Sequence, residues 1–310
     1  MIPVDFTALL NKMLVFLVLM VIGYVPARRG SLSRDAIKAI SSLTMIVFLT
    51  ASILNSVLSS QQDMGWGELG TVFLVLWVMQ LVGYGIAWLV TRAIPVERER
   101  KPVFELLMSV GNSMFIGLPI VQALFPEGHA VFYVSLSCLP FNILLFTYGV
   151  WRLQSGRQDA HLRPKDILSV PLLAALASVI LFLVNPPVPE AVSSLIATIA
   201  GGTVPLSMIV IGASLGSVSL LDAFRSWRLY VISFVRLLLI PVLTWLVCGL
   251  ISSDPVLLMT VTVVAGCPCA VVITVMANQY NRDSVLCAEA TLQSTALSMA
   301  SIPLLVWLLS

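Results

Sequence analysis

The chain has 310 residues, 59% of them hydrophobic and only 10% charged, and its mean hydropathy is +1.01. Ordinary soluble domains carry roughly 25% charged residues, so the composition excludes one and describes a polytopic membrane protein. The formal net charge of +2 says little, because in a membrane protein the placement of Lys and Arg is what reports topology.

A membrane span needs about 20 apolar residues to cross ~30 Å of hydrocarbon. Charged and Pro/Gly-rich breaks cut this chain into ten such stretches, at roughly 6–27, 35–58, 69–94, 102–125, 129–151, 166–185, 190–217, 227–251, 255–280 and 284–309. The first is interrupted by Asn11 and Lys12 and followed by Arg28 and Arg29. A signal peptide carries its positive charge ahead of the apolar core, so a retained span is expected, with Lys12 reaching toward the outer interface.

The loops test this count without using hydropathy. Every second one is basic: Arg28, Arg29, Arg34 and Lys38; Arg92, Arg98, Arg100 and Lys101; Arg152, Arg157, Arg163 and Lys165; Arg225 and Arg228; Arg282. The loops around Asp63, Glu127, Asn185 and Asp254 contain neither Lys nor Arg. Fifteen of the seventeen basic residues thus fall on one side, the cytoplasmic side by the positive-inside rule, and both termini are expected outside.

Span 4 contains Val110-Gly111-Asn112-Ser113-Met114-Phe115-Ile116-Gly117-Leu118-Pro119. Pro119 removes a backbone donor and disfavours the α conformation at Leu118, while Gly111 and Gly117 weaken the helix and allow close backbone approach. Span 9 contains Ala265-Gly266-Cys267-Pro268-Cys269-Ala270, and Gly266 follows Gly111 by 155 residues, half the chain. Two interrupted segments at corresponding places in two halves point to a transporter's substrate site near the bilayer midplane. The corresponding spans are five apart, an odd number, so the halves 1–152 and 164–310 insert upside down relative to each other. Leu43-Thr44-Met45-Ile46-Val47 in span 2 also matches Leu206-Ser207-Met208-Ile209-Val210 in span 7. The expected fold is all-α, with ten transmembrane helices in a 5+5 inverted repeat and the broken helices 4 and 9 crossing.

A half-helix that begins at a break aims backbone N–H groups, and a partial positive charge of about half an elementary charge, into the gap. No acid occurs in either break, so the expected substrate is a small organic anion, with Asn112 as a neutral hydrogen-bond donor. Gly111, Asn112, Gly117, Pro119, Gly266 and Pro268 are the expected substrate-binding residues at the breaks. Gln122, Asn142, Asn278 and Gln293 are the other polar side chains able to line a cavity, of which Asn142 and Gln293 are taken as binding candidates. Arg236 lies nine residues after Trp227, ~13 Å into the bilayer at 1.5 Å per residue. An unpaired charge there is expensive, and Glu289 is the expected partner at similar depth, or else the carrier of a coupling proton. Glu105 follows Pro102 near the start of span 4, where an acid complements the helix dipole.

Other classes of function fit less well. Cys267-Pro268-Cys269 can present two thiolates to a soft metal, but a metal pump also needs a nucleotide-hydrolysing domain and phosphate loop absent from this sequence. The five cysteines lie in or near apolar segments, where a thiol behaves as a small hydrophobe, and no disulfide framework is implied. The two histidines, His129 and His161, fall in loops on opposite sides, and no two acids are spaced as a buried dyad. No catalytic residue, cofactor, metal site or nucleic-acid partner is expected.

Asn112-Ser113-Met114-Phe115-Ile116-Gly117-Leu118-Pro119 resembles the broken fourth helix of the prokaryotic auxin efflux carrier family. Further matches are Gly23 with Arg28-Arg29-Gly30, Pro205-Leu206-Ser207 with Gly212-Ala213-Ser214-Leu215, Arg236 before Pro241, Pro268 and Ala270 with Ala277 and Tyr280, and Ser294-Thr295 with Pro303. The resemblance covers essentially the whole chain. It implies a fold similar to that of plant auxin carriers and bile-acid:sodium symporters. Residues 1–64 and 165–218 would form a scaffold, and 69–152 and 227–310 a transport domain that moves against it as an elevator. It also implies a secondary active transporter of a malonate-like or auxin-like carboxylate, in the bacterial inner membrane, as a homodimer, with a proton or sodium as coupling ion. A sodium-coupled symporter of the bile-acid type is the alternative. Thr50 stands where the family commonly has Pro, and Ile273 where span 9 is often polar, which bears on whether span 9 contacts substrate.

Overall fold

An apolar stretch with few charges leaves its backbone N–H and C=O groups no partner in the bilayer but one another, and the helix is the local way to pair them. The computed structural model describes residues 6–58, 65–125, 129–155, 170–184, 186–216 and 223–309, and among these the regular structure is helical. Helix α1 is Phe6–Arg28; α2 (Arg34–Leu43) runs through a π turn at Thr44–Leu49 into α3 (Thr50–Leu58), and α4 is Trp66–Ala93. Next come α5 (Lys101–Ser109), then a π turn at Ser113–Gly117 leading into α6 (Leu118–Leu124). Helix α7 (Ala130–Leu144) continues through a π turn at Leu145–Gly149 into α8 (Val150–Gln154), followed by α9 (Val170–Val184), α10 (Glu190–Gly201) and α11 (Thr203–Leu215). A π turn at Val235–Leu239 joins α12 (Trp227–Phe234) to α13 (Ile240–Gly249); α14 (Pro255–Ala265), α15 (Val271–Gln279) and α16 (Ser284–Leu309) complete the chain.

Helical residues fall in each of the ten intervals expected from the sequence. Among the described residues six helical runs are long and apolar enough on their own to cross a membrane: Asp35–Asn55, Trp66–Ala93, Ala130–Gln154, Glu190–Leu215, Trp227–Gly249 and Ser284–Leu309. The interrupted stretches leave shorter apolar pieces, Ser113–Leu124 and Pro255–Ala265, as does the first at Leu14–Arg28. The expected loop residues Asp63, Glu127, Asn185, Arg157, His161, Arg163 and Lys165 lie outside the described residues, as do the side chains of Lys12, Arg34 and Asn278.

Two glycines set the closest helix contact. Helices α1 and α11 pack along each other, and a Cβ at Gly23 would overlap the Ile209 carbonyl while one at Gly212 would overlap that of Met20. Small residues of this kind let membrane helices meet backbone to backbone. Beside them α3 packs on α9 and α10, and Thr203 Oγ1 donates to the Phe48 carbonyl at 2.8 Å. The other helices contact mainly one another: α4 against α5 and α13, α14 against α13 and α7, α15 against α16. Arg282 ties three of these connections together, donating to the carbonyls of Leu153 (2.8 Å), Ser155 (2.7 Å) and Glu99 (3.4 Å).

The sequence placed a backbone irregularity at Leu118, before Pro119. Leu118 is instead helical, with φ −59° and ψ −49°. Pro119 sits in the first turn of α6, where its missing N–H is not needed, and the wide π turn before it gives the ring room. The true break is at residues 110–112.

Candidate functional site

The two interrupted stretches unwind at the same place and bind each other. Helix α5 stops at Ser109, after which Val110 is extended (φ −103°, ψ 108°), and α14 stops at Ala265. Gly111 and Cys269 then form an antiparallel bridge, in which Asn112 N donates to the Pro268 carbonyl at 2.8 Å and Ala270 N to the Val110 carbonyl at 3.1 Å. These bonds satisfy four main-chain groups that an apolar interior would otherwise leave orphaned. Cys269 N is held by Ser294 Oγ of α16 at 3.1 Å. The chain re-enters helix at once: the Asn112 carbonyl accepts from Ile116 N (3.0 Å) and Gly117 N (3.3 Å), and α15 begins at Val271.

A cavity of about 280 Å³ opens beside this crossing. Asn112 and Ser113 line it from one break, and Ala270, Val271 and Val275 from the other. Ser41, Met45 and Leu49 face it from α2 and its π turn, Val210 and Ser214 from α11, and Phe141, Asn142 and Phe146 from α7 and its continuation. Among the described residues no charged side chain lines it. The Asn112 amide makes no hydrogen bond to protein among the described residues, whereas Asn142 Nδ2 donates to the Cys138 carbonyl of its own helix at 2.8 Å.

Of the eight expected binding residues, Gly111, Asn112 and Asn142 line this cavity. The other five are placed differently. Gly117 packs against Cys267 Sγ, Gly266 against Leu305, and Pro119 is buried in α6. Pro268 contributes its carbonyl to the bridge. Gln293 is fully buried and accepts from Ser233 Oγ at 3.0 Å. Ile273 is also buried in the core, so span 9 meets the cavity through Ala270, Val271, Val272 and Val275. Neither cysteine of Cys267-Pro268-Cys269 lines it; the Cys267 thiol donates to the Val263 carbonyl at 3.3 Å. Among the described residues no three His, Cys, Asp or Glu side chains are grouped as a metal site.

Arg236 corrects the expected ion pair. Its partners are main-chain carbonyls: Cys267 at 2.8 Å from Nε, Ser109 and Met108 at 3.0 and 3.3 Å from Nη1, and Val264 at 3.5 Å from Nη2. Glu289 is not among them. A guanidinium carries five donors in a plane and finds its acceptors where two helices end.

Sequence reasoning missed Ser41, Ser113 and Ser214. Ser41, Met45 and Leu49 recur every four residues, a single stripe on one helix face. Such stripes are common in membrane helices, and nothing marks this one as facing a cavity. The π turns gave no signal either, yet three of the four contribute lining residues and the fourth carries Arg236. Such turns recur at functional sites.

The model of the membrane transport protein family matches residues 8–306, which includes both breaks and every lining residue. The chain belongs to this family, that of the auxin efflux carriers. This auxin efflux carrier family member is also 24% identical over 292 residues to an uncharacterized transporter of Methanothermobacter thermautotrophicus, covering 93% of this chain and 94% of that protein. It is a multi-pass membrane transporter, a class that is not normally enzymatic.

Proposed function

We propose that the protein is a secondary active carrier that moves a small organic anion, a carboxylate, across the bacterial inner membrane by elevator-type alternating access. The observation that carries this reading is the cavity at the crossing, uncharged among the described residues, where helical structure restarts at Ser113 and Val271 beside an Asn112 amide that none of those residues engages. An anion there meets N–H groups and the positive ends of helical segments, and a cation finds no acid. A volume of about 280 Å³ is at the small end of ligand pockets, which run from roughly 300 to 1,000 Å³, and favours a malonate-sized or auxin-sized acid over a bile acid.

Packing supports the moving parts. Helices α1, α3, α9, α10 and α11 hold one another, and the cavity lies where this group meets the broken spans. We assign residues 1–64 and 165–218 to a scaffold and 69–152 and 227–310 to the mobile domain, the halves forming a 5+5 inverted repeat. A homodimer would pair through the scaffold.

The test is purified protein in proteoliposomes, assayed for saturable counterflow of small mono- and dicarboxylates, with a thermal-shift screen of the same compounds. Stabilisation and counterflow by a carboxylate are expected. Stabilisation by organic cations, with none by any carboxylate, would refute the anion reading; flux without saturation would indicate a channel.

A further inference from the structure

Arg236 is a buried charge that the proposed substrate site does not use, since it does not line the 280 Å³ cavity. It hydrogen-bonds four carbonyls that converge from two directions: Met108 and Ser109 close α5, and Val264 and Cys267 close and follow α14. The last carbonyls of a helix lack intrahelical donors, and each helix end concentrates about half a negative charge. Two such ends meeting in an apolar interior repel each other unless a cation lies between them. In broken-helix transporters, half-helix C-terminal ends and unwound carbonyls are where coupling sodium ions are coordinated. Here the ring of oxygens is filled from within the chain. Gly111 completes the fit, because a Cβ there would overlap the guanidinium. Beside the guanidinium, between Gln80, Ser109 and Ser113, a space of about 10 Å³ remains, room for roughly one water.

We infer that Arg236 is a built-in counter-ion: its guanidinium takes the place a bound alkali cation would occupy between the two helix ends, so that the crossing is held without sodium and a sodium gradient does not drive transport through this position. The transport clause rests on the carrier reading above. The occupancy clause does not, and it is tested without substrate.

Purified wild-type protein and the variants Arg236→Lys, Arg236→Gln and Arg236→Ala are melted in sodium chloride and in choline chloride at equal ionic strength. A further Arg236→Ala series receives low-millimolar guanidinium chloride. The wild type is expected to melt at the same temperature in both salts. Arg236→Lys, which keeps the charge, should lie closer to wild type than Arg236→Gln, which keeps N–H donors and is only one bond shorter than lysine but is neutral. Arg236→Ala should gain a saturable upward shift from sodium or guanidinium, and none from choline. Sodium-dependent stabilisation of the wild type would overturn the inference, as would a lysine variant no better than the glutamine one, or an alanine variant unresponsive to both small cations. If Arg236→Ala cannot be recovered folded, the Lys–Gln comparison and the wild-type salt comparison decide by themselves. A protein that behaves as expected here yet carries no carboxylate would remove the carrier reading and leave the counter-ion standing.

Discussion

Glu105 and Arg152 form a forked ion pair: Arg152 Nε lies 3.0 Å from Oε2 and 3.1 Å from Oε1 of the carboxylate, while Nη2 also bonds Oε2. The Tyr148 hydroxyl donates to the same carboxylate. This overturns the reading of Glu105 as a helix-dipole residue. Its carboxylate reaches out of α5 to the end of α8, tying the first half of the broken span to span 5. The two partners differ in access to water, since the Glu105 side chain is 1% exposed and that of Arg152 19%. Removing the arginine strands a buried carboxylate, which costs about 3 kcal/mol or more. Glu105→Gln leaves Arg152 able to turn toward water and should cost about half as much. Unfolding of Arg152→Ala and Glu105→Gln in matched micelles checks the order; an arginine variant at least as stable as the glutamine one contradicts it.

Gly111 and Gly85 give a matched pair of alanine substitutions. At Gly111 the new Cβ would overlap the Arg236 guanidinium, so that either the arginine loses its carbonyls or the bridge opens. At Gly85, within α4, nothing lies within 4 Å of the added carbon, and alanine is the better helix former by up to ~1 kcal/mol. Gly111→Ala is expected to lower folded yield and melting temperature severely, and Gly85→Ala to leave both unchanged or raised. Size-exclusion profiles and thermal melts read the difference.

For the substrate, Asn112 and Asn142 both line the cavity, but only the first has its amide unengaged by protein among the described residues. A hydrogen bond to a charged group contributes about 1.5–3 kcal/mol, so Asn112→Ala should weaken carboxylate binding by roughly 10- to 100-fold. Asn142→Ala should cost several-fold less. Asn112→Asp should bind worst at neutral pH, because it sets a negative charge where the substrate's must lie. Titration calorimetry against whichever acid the screen returns measures all three, and normal affinity in the aspartate variant would exclude an anion at this position.

Orientation has its own test. Gln62→Cys and Gln158→Cys fall in the loops that the basic residues assign to opposite sides. An impermeant thiol reagent applied to intact cells should label the first, and should label the second only after permeabilisation. The reverse pattern would invert the assigned topology and exchange the faces toward which the two broken spans open.

Much of the helical layout could be read from the sequence because apolar length and alternating loop charge are properties of segments, and each residue adds to the same signal. Gly111 and Pro268 likewise announced the breaks, since few residues disturb a membrane helix so strongly. What was not legible was direction. Whether Asn112, Gln293 or Ser214 faces the cavity depends on helix rotation, which packing sets. The partners of Arg236 were hidden for a different reason: they are carbonyls, which every residue carries and no sequence distinguishes. The same holds for the π turns at Leu145–Gly149 and Val235–Leu239, whose sequences, Leu-Phe-Thr-Tyr-Gly and Val-Arg-Leu-Leu-Leu, share no pattern that marks a widened turn.

The bridge between Gly111 and Cys269 is made by main-chain atoms, and so is the cradle that receives Arg236. Neither depends on the side chains at Met45, Phe141, Phe146 or Val275, which line the cavity. The crossing is therefore insulated from the chemistry of what it holds. A wall residue can be exchanged for one of different bulk or polarity without renegotiating how the two broken helices meet. If the cavity is the substrate site proposed above, its lining is replaceable, and an engineer wishing to redirect the transporter would begin with those four positions.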